Sequence, residues 1–267
     1  MWFKGLILVM FCSLLTGCFG DYKTGEQLYK SGAYEEAIEE FSKVLFVSIT
    51  DLKALHLRGR AYEEMGKYAE ALADYRKIIV LNPEYGYAYA GIGKIAWDRG
   101  NYKEAEKNYL LAAMLEPEDY DILISLSRAM IKNERYKSAI EFLDLATKIK
   151  PKEPNPYYYK GIAMGLLGDG LGAAVTFNSY IDLEPNNISA HFNRGLALMT
   201  LGYKSWALED FDTVLEMNPK HYEALARRAV CLIEKNPSQS CFDLETAALN
   251  GNAYAKEQQL LSCVDSR

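Results

Sequence analysis

Proline recurs at Pro83, Pro117, Pro151, Pro185 and Pro219, each 34 residues after the one before. Alanine keeps the same step at Ala37, Ala71, Ala105, Ala139, Ala173 and Ala207. So do Gly25, Gly59, Gly93, Gly161 and Gly195, with Ser127 in the vacant slot and Ala229 after the last. Large side chains follow in phase as Phe41, Tyr75, Tyr109, Leu143, Phe177 and Phe211. Four sets of residues sharing one phase demand a repeat architecture, in which each copy buries the apolar face that its neighbour leaves uncovered. Composition agrees with a folded chain: 49% of the 267 residues are hydrophobic and 25% charged.

The repeated slots resemble the tetratricopeptide repeat, most plainly in residues 52–85, LKALHLRGRAYEEMGKYAEALADYRKIIVLNPEY. The resemblance implies an all-α fold, a right-handed superhelical solenoid of antiparallel helix hairpins. About six repeats are expected, over 18–51, 52–85, 86–119, 120–153, 154–187 and 188–221, followed by a degenerate repeat and a capping helix in 222–267. Each slot has a physical reason. Gly59 and Ala71 are small where the first helix (A) and the second (B) cross, and Tyr75 fills the gap to the next hairpin. Gly66 permits a left-handed turn between A and B, and the proline ends helix B. Ile49 in the proline slot, and Ser127 and Glu134 in glycine slots, depart from the pattern.

Residues 1–17 read as a signal peptide: Lys4, then an apolar run from Leu6 to Leu15 too short to span a bilayer. The run ends in Leu15-Thr16-Gly17-Cys18, which resembles the lipobox of bacterial lipoproteins. That resemblance implies cleavage before Cys18 and acylation of its thiol, an anchor holding firmly once two or three chains are buried. Phe19, where enterobacterial lipoproteins retained in the inner membrane carry Asp, favours the outer membrane, facing the periplasm. The first repeat begins almost at Cys18, so the stack is expected to stand close to the membrane.

Arg occupies the seventh place in three repeats, as Arg58, Arg194 and Arg228. The same repeats carry Asp74, Asp210 and, allowing one deletion, Asp243 beside the large position of helix B. Repeats with Ile92 and Leu126 in the seventh place have Asn108 and Phe142 instead. Three Arg–Asp pairs joining helix A to helix B are expected, with anion binding by the arginines as the alternative.

The five cysteines lie at the ends of the chain: Cys12, Cys18, Cys231, Cys241 and Cys263. A turn at Asn250-Gly251-Asn252 leads to a final amphipathic helix from about Ala253, with Ala255, Leu260 and Leu261 as its apolar residues. Two antiparallel helices would bring Cys241 and Cys263 together, and an oxidising envelope would join them. Cys231 stands in a slot of small residues and is expected to be a buried free thiol.

Chemistry leaves no mark. His56, His191 and His221 fall at unrelated places, and no phosphate loop, catalytic triad order or zinc spacing occurs. Glu35-Glu36 and Glu63-Glu64 read as solvated helix faces. No enzyme, metal or cofactor is expected. Net charge −6, or about −7 without residues 1–17, argues against nucleic acid.

By the same resemblance, the concave wall is lined by helix A. Its slots hold Lys53, His56, Arg60, Tyr87, Lys94 and Trp97, a charged patch with one large aromatic. Ile124 and Arg128 follow, then Tyr158, Ile162, Leu166, Phe192, Leu196 and Met199, mostly apolar. Asn193 and Arg227 match the carboxylate clamp of some relatives only in part. The expectation is an envelope adaptor that binds a helix or extended segment of another protein in this groove. Small lipoproteins of this architecture include the pilotins of type IV pili and adaptors of cell-wall hydrolases. The alternative is a self-associating structural protein, a homodimer using the apolar part of the groove.

Overall fold

The computed structural model describes residues 20–263. The leader and Cys18 lie outside them. Fifteen α-helices and no strand occur among the described residues, and none of these helices is long and apolar enough to cross a membrane. The chain divides into two compact units, 1–133 and 134–267.

The first unit holds α1 (Tyr22–Lys30), α2 (Tyr34–Val47), α3 (Leu52–Glu64), α4 (Tyr68–Leu81), α5 (Gly86–Asp98), α6 (Tyr102–Leu115) and α7 (Tyr120–Lys132). Consecutive helices pack on one another, and alternate ones, such as α3 and α5, touch along one side. The second unit repeats the scheme with α8 (Tyr136–Ile149), α9 (Asn155–Leu167), α10 (Gly170–Leu183), α11 (Ile188–Thr200), α12 (Lys204–Met217), α13 (Tyr222–Leu232), α14 (Pro237–Leu249) and α15 (Ala253–Ser262).

Local chemistry sets the helix limits. Asp51 and Asp119 accept from the backbone N–H groups of Lys53 and Ala54, and of Asp121 and Ile122, capping α3 and α7. Pro83 stands two residues beyond the end of α4, where the helix can no longer use an N–H. The turn between A and B needs a left-handed residue. Gly32, Gly66, Gly100, Gly168 and Gly202 supply it with φ of 70 to 90°, and Glu134 takes the same slot at φ 62°. Glu134 is the non-glycine residue that bears the steric cost of that conformation.

Packing follows the period. Tyr75 is fully buried, wedged so tightly that a Cβ on Gly59 would lie 2.9 Å from its ring and one on Gly91 only 2.4 Å. Burial of such a ring contributes about 2–3 kcal/mol. Phe41, Phe211 and Leu143 are buried in the corresponding slots.

Arg58 reaches Asp74 at 2.7 Å, Arg194 reaches Asp210 at 2.7 Å and Arg228 reaches Asp243 at 2.8 Å. Each guanidinium also donates backwards, to helix B of the preceding hairpin: to Ser42 at 3.0 Å, Asn178 at 2.9 Å and Asp212 at 3.0 Å. Lys160, in the same seventh place, binds Asp144 at 2.5 Å. Their hydrogen bonds are spent within the stack, which favours the structural reading of these arginines over anion binding.

At the C-terminus Cys241 and Cys263 form a disulfide, with Cα atoms 5.7 Å apart, and Cys231 is a buried free thiol. Two expectations need correction. Leu260 and Leu261 are exposed, whereas Ala255 is buried as the pattern implies, and Tyr254 and Cys263 take the place of the leucines against the core. Glu63 is not solvated but buried, because its place late in helix A faces the gap between hairpins.

Candidate functional site

The A helices present two separate grooves, one in each unit. In the first unit α3, α5 and α7 line a cavity of about 240 Å³. His56 sits at its edge with its ring 6.0 Å from that of Tyr87 and Nδ1 3.2 Å from the Tyr85 hydroxyl. Burial, reinforced by the charge of Arg60, pushes the His56 pKa down to about 4, so the ring is neutral at neutral pH. Deeper in, the Glu63 carboxylate accepts from the Tyr75 hydroxyl at 3.0 Å and meets Lys94 Nζ at 2.7 Å. Lys94 also reaches Asp98 at 3.3 Å. Burial opposes the lysine charge, but the two carboxylates outweigh it and hold its pKa above the usual lysine range.

Arg60 leans over the ring of Tyr29 at 5.8 Å, and its Nε is buried without a hydrogen-bond partner. Asp119, Asp121 and Ser125 also line it. Nearby, Trp97 packs edge-on against Tyr102 at 5.0 Å, with the Arg128 guanidinium 4.7 Å above its indole. This wall presents hydrogen-bond donors and acceptors beside aromatic rings. Among the described residues no group of three His, Cys, Asp or Glu side chains converges to hold a metal ion.

In the second unit α9, α10 and α11 enclose an apolar groove of about 390 Å³, lined by Ile162, Leu166, Phe177 and Leu196 among others. Glycine makes the room. A Cβ on Gly165 would meet only Ala173, at 3.9 Å. Asn193 is the amide in this lining, and its side chain forms no hydrogen bond among the described residues.

The concave candidates therefore divide. His56, Arg60, Tyr87 and Lys94 share the first groove, and Ile162, Leu166 and Leu196 share the second. Lys53 is exposed at the start of α3, outside either lining. Tyr158 packs on Phe177 and Tyr180, and Phe192 on Phe211 and His221, so these rings serve the core as much as the wall. Met199 is half-buried against the same core as Phe192. Ile124 is a correction: it is buried, because its helix face turns toward the neighbouring hairpins. Sequence reading missed Asp119, Asp121 and Gly165, and weighed Asn193 only as part of a carboxylate clamp. A cluster of glycines around α9, beyond those the period requires, was the available signal for the hollow.

A chain of stacked helix hairpins with open grooves along its A helices belongs to the class of helical-repeat interaction proteins. Family models described as tetratricopeptide repeat match residues 52–85, 96–164 and 188–221, together just over half of the sequence. The chain belongs to the tetratricopeptide-repeat family, whose members generally serve as non-enzymatic protein-interaction scaffolds. No curated protein matches by sequence. Among solved structures, YrrB, described as "a TPR protein with an unusual peptide-binding site", is 23% identical, with TM-score 0.67, over 70% of this chain and 97% of its own. The C-terminal part of a repeat-containing protein from Cytophaga hutchinsonii is 17% identical, with TM-score 0.70, over 89% of this chain and 98% of its own. PilF of Pseudomonas aeruginosa is 16% identical, with TM-score 0.63, over 78% and 96%.

Proposed function

We propose that the protein is a lipid-anchored adaptor of the bacterial envelope, and that it seats a segment of another envelope protein against its A helices. One observation carries the binding half: the second-unit groove is apolar, open and roomy at Gly165, with the Asn193 amide free beside it. Apolar surface left open in this way favours an occupant. The amide can meet a backbone while Leu166 and Leu196 clasp a bulky side chain. YrrB, similar in fold, is a peptide binder by its description. The Leu15–Cys18 motif supports the anchor and, with Phe19, the outer membrane. A secretin, a pilus component or a cell-wall enzyme are the partner classes that such an anchor would serve.

The test is site-specific photocrosslinking from position 166 in intact envelopes. The expected result is one dominant adduct that Gly165→Leu abolishes by filling the groove, while circular dichroism stays unchanged. Adducts insensitive to that change would overturn the reading. An adduct of twice the chain's own mass would replace it with self-association.

A further inference from the structure

The outward faces of the B helices are charged in most hairpins. In the slot of Leu171 other repeats carry Glu35, Lys103 and Lys137, and in the slot of Val175 they carry Glu39, Lys107 and Glu141. Trp206 likewise stands where Glu36, Glu70 and Glu104 do. The structure brings these exchanged positions together. Leu171 and Val175 on α10 and Tyr203 and Trp206 at α12 are 61%, 59%, 48% and 58% exposed. They surround a hollow of about 410 Å³ that reaches down to Leu198 on α11. The rings of Tyr203 and Trp206 lean on each other, 5.2 Å apart. The polar groups beneath are already satisfied, since Arg194 donates to both Asp210 and Asn178. The hollow uses a different face of α11 from the groove beside Gly165, which is reached by Asn193, Leu196 and Thr200.

We infer that this hollow is a second docking site, for an amphipathic helix of a protein partner with one bulky apolar side chain flanked by Lys or Arg. Charge selects the occupant. Glu209 on the rim forms no ion pair among the described residues, and Asp182 and Glu216 are exposed along the same two helices. Of the nearby cations, Arg194 is held by Asp210 and Lys204 by Glu234, both at 2.7 Å, and Lys235 donates to Ser205 at 2.9 Å, on the side of α12 away from the rim carboxylates of α10. A second copy docking face to face would set these carboxylates against themselves. A bilayer is flat where this surface is hollow, and anionic lipid would be repelled. Basic flanks around an apolar anchor complement both features. This site stands whether or not the A-helix groove binds anything.

Fluorescence anisotropy of a labelled amphipathic peptide of about 18 residues, five helical turns, tests the inference on the full chain. The peptide carries Leu and Trp on one face and Lys on its flanks, and a twin has Glu flanks instead. The Lys peptide is expected to bind saturably and to lose roughly tenfold or more in affinity with Leu171→Ser plus Trp206→Ala. Trp206→Phe should retain most of the binding, and Val80→Ser, at an exposed apolar position of the first unit outside its groove, should leave the affinity unchanged. Circular dichroism checks that each variant folds. Equal binding by the double variant or by the Glu twin would overturn the inference. So would a dimer in light scattering, or flotation with phosphatidylglycerol vesicles, that the double variant loses.

Discussion

A guanidinium in the seventh place of a hairpin ties three helices: its own A and B, and the B before it. Asp74 is nearly buried beneath Arg58, so Arg58→Ala would strand a carboxylate. The expected cost is about 2–3 kcal/mol in urea unfolding, below the cost of breaking a fully buried pair because the arginine remains partly solvated. Replacing both residues with Leu should cost less than the single change. Glu134 holds a left-handed conformation that glycine adopts in the other hairpins, so Glu134→Gly should stabilise by about 0.5–1 kcal/mol, seen as a higher Tm. His56 adds a pH dependence. The unfolded ring takes up a proton near its ordinary pKa of 6.5, whereas the folded one resists until about pH 4. Between those values the unfolded state binds more protons, so stability should fall as pH drops through this window. His56→Phe should flatten that part of the curve. The Arg–Asp pairs were legible because one pair of residue types recurs in one pair of slots. Their backward arm was not, because Ser42, Asn178 and Asp212 share no chemistry beyond accepting a hydrogen bond.

Helices and their order were largely legible, since glycine, proline and alanine mark most turns and crossings in phase, Ile49, Ser127 and Glu134 being the departures. What the period does not determine is the rotation of a helix that lies outside it. Leu260 and Leu261 look like the apolar stripe of α15, yet the disulfide at Cys263 and the burial of Ala255 turn the other side inward. The cystine closes a separation of 22 residues, and opening it should lower stability by about 3 kcal/mol. Cys263→Ser should show this as faster amide exchange in α15 first, with the first unit unaffected. The grooves were half legible. Side-chain positions on helix A could be counted from the repeat, but the hollow at Gly165 is made by missing atoms, and Glu63 changed from surface charge to buried acceptor through contacts spanning two hairpins.

For the whole chain, the family and the scaffold role follow from periodicity and fold, whereas the anchor rests on a motif of four residues. Cys18→Ser should release the protein from membranes into the soluble fraction, and intact mass should lose the increment of the acyl chains. A variant that stays membrane-bound would remove the acyl anchor at Cys18 without touching the fold. The partner's identity is written in neither unit, because recognition depends on surfaces whose matching half is another molecule.

The seventh-place bridges have an implication for assembly. Arg58, Lys160, Arg194 and Arg228 each find an acceptor sixteen residues earlier, while Ile92 and Leu126 are preceded at that distance by Arg76 and Leu110. Hairpins that look like interchangeable bricks are therefore matched to neighbours that offer an acceptor. A copy of the second placed third would point its guanidinium at another, and the misassembled chain would be penalised before any ligand arrived. Such keying narrows the order of parts that a near-uniform array will accept, and works against the slippage and swapping to which identical modules are prone.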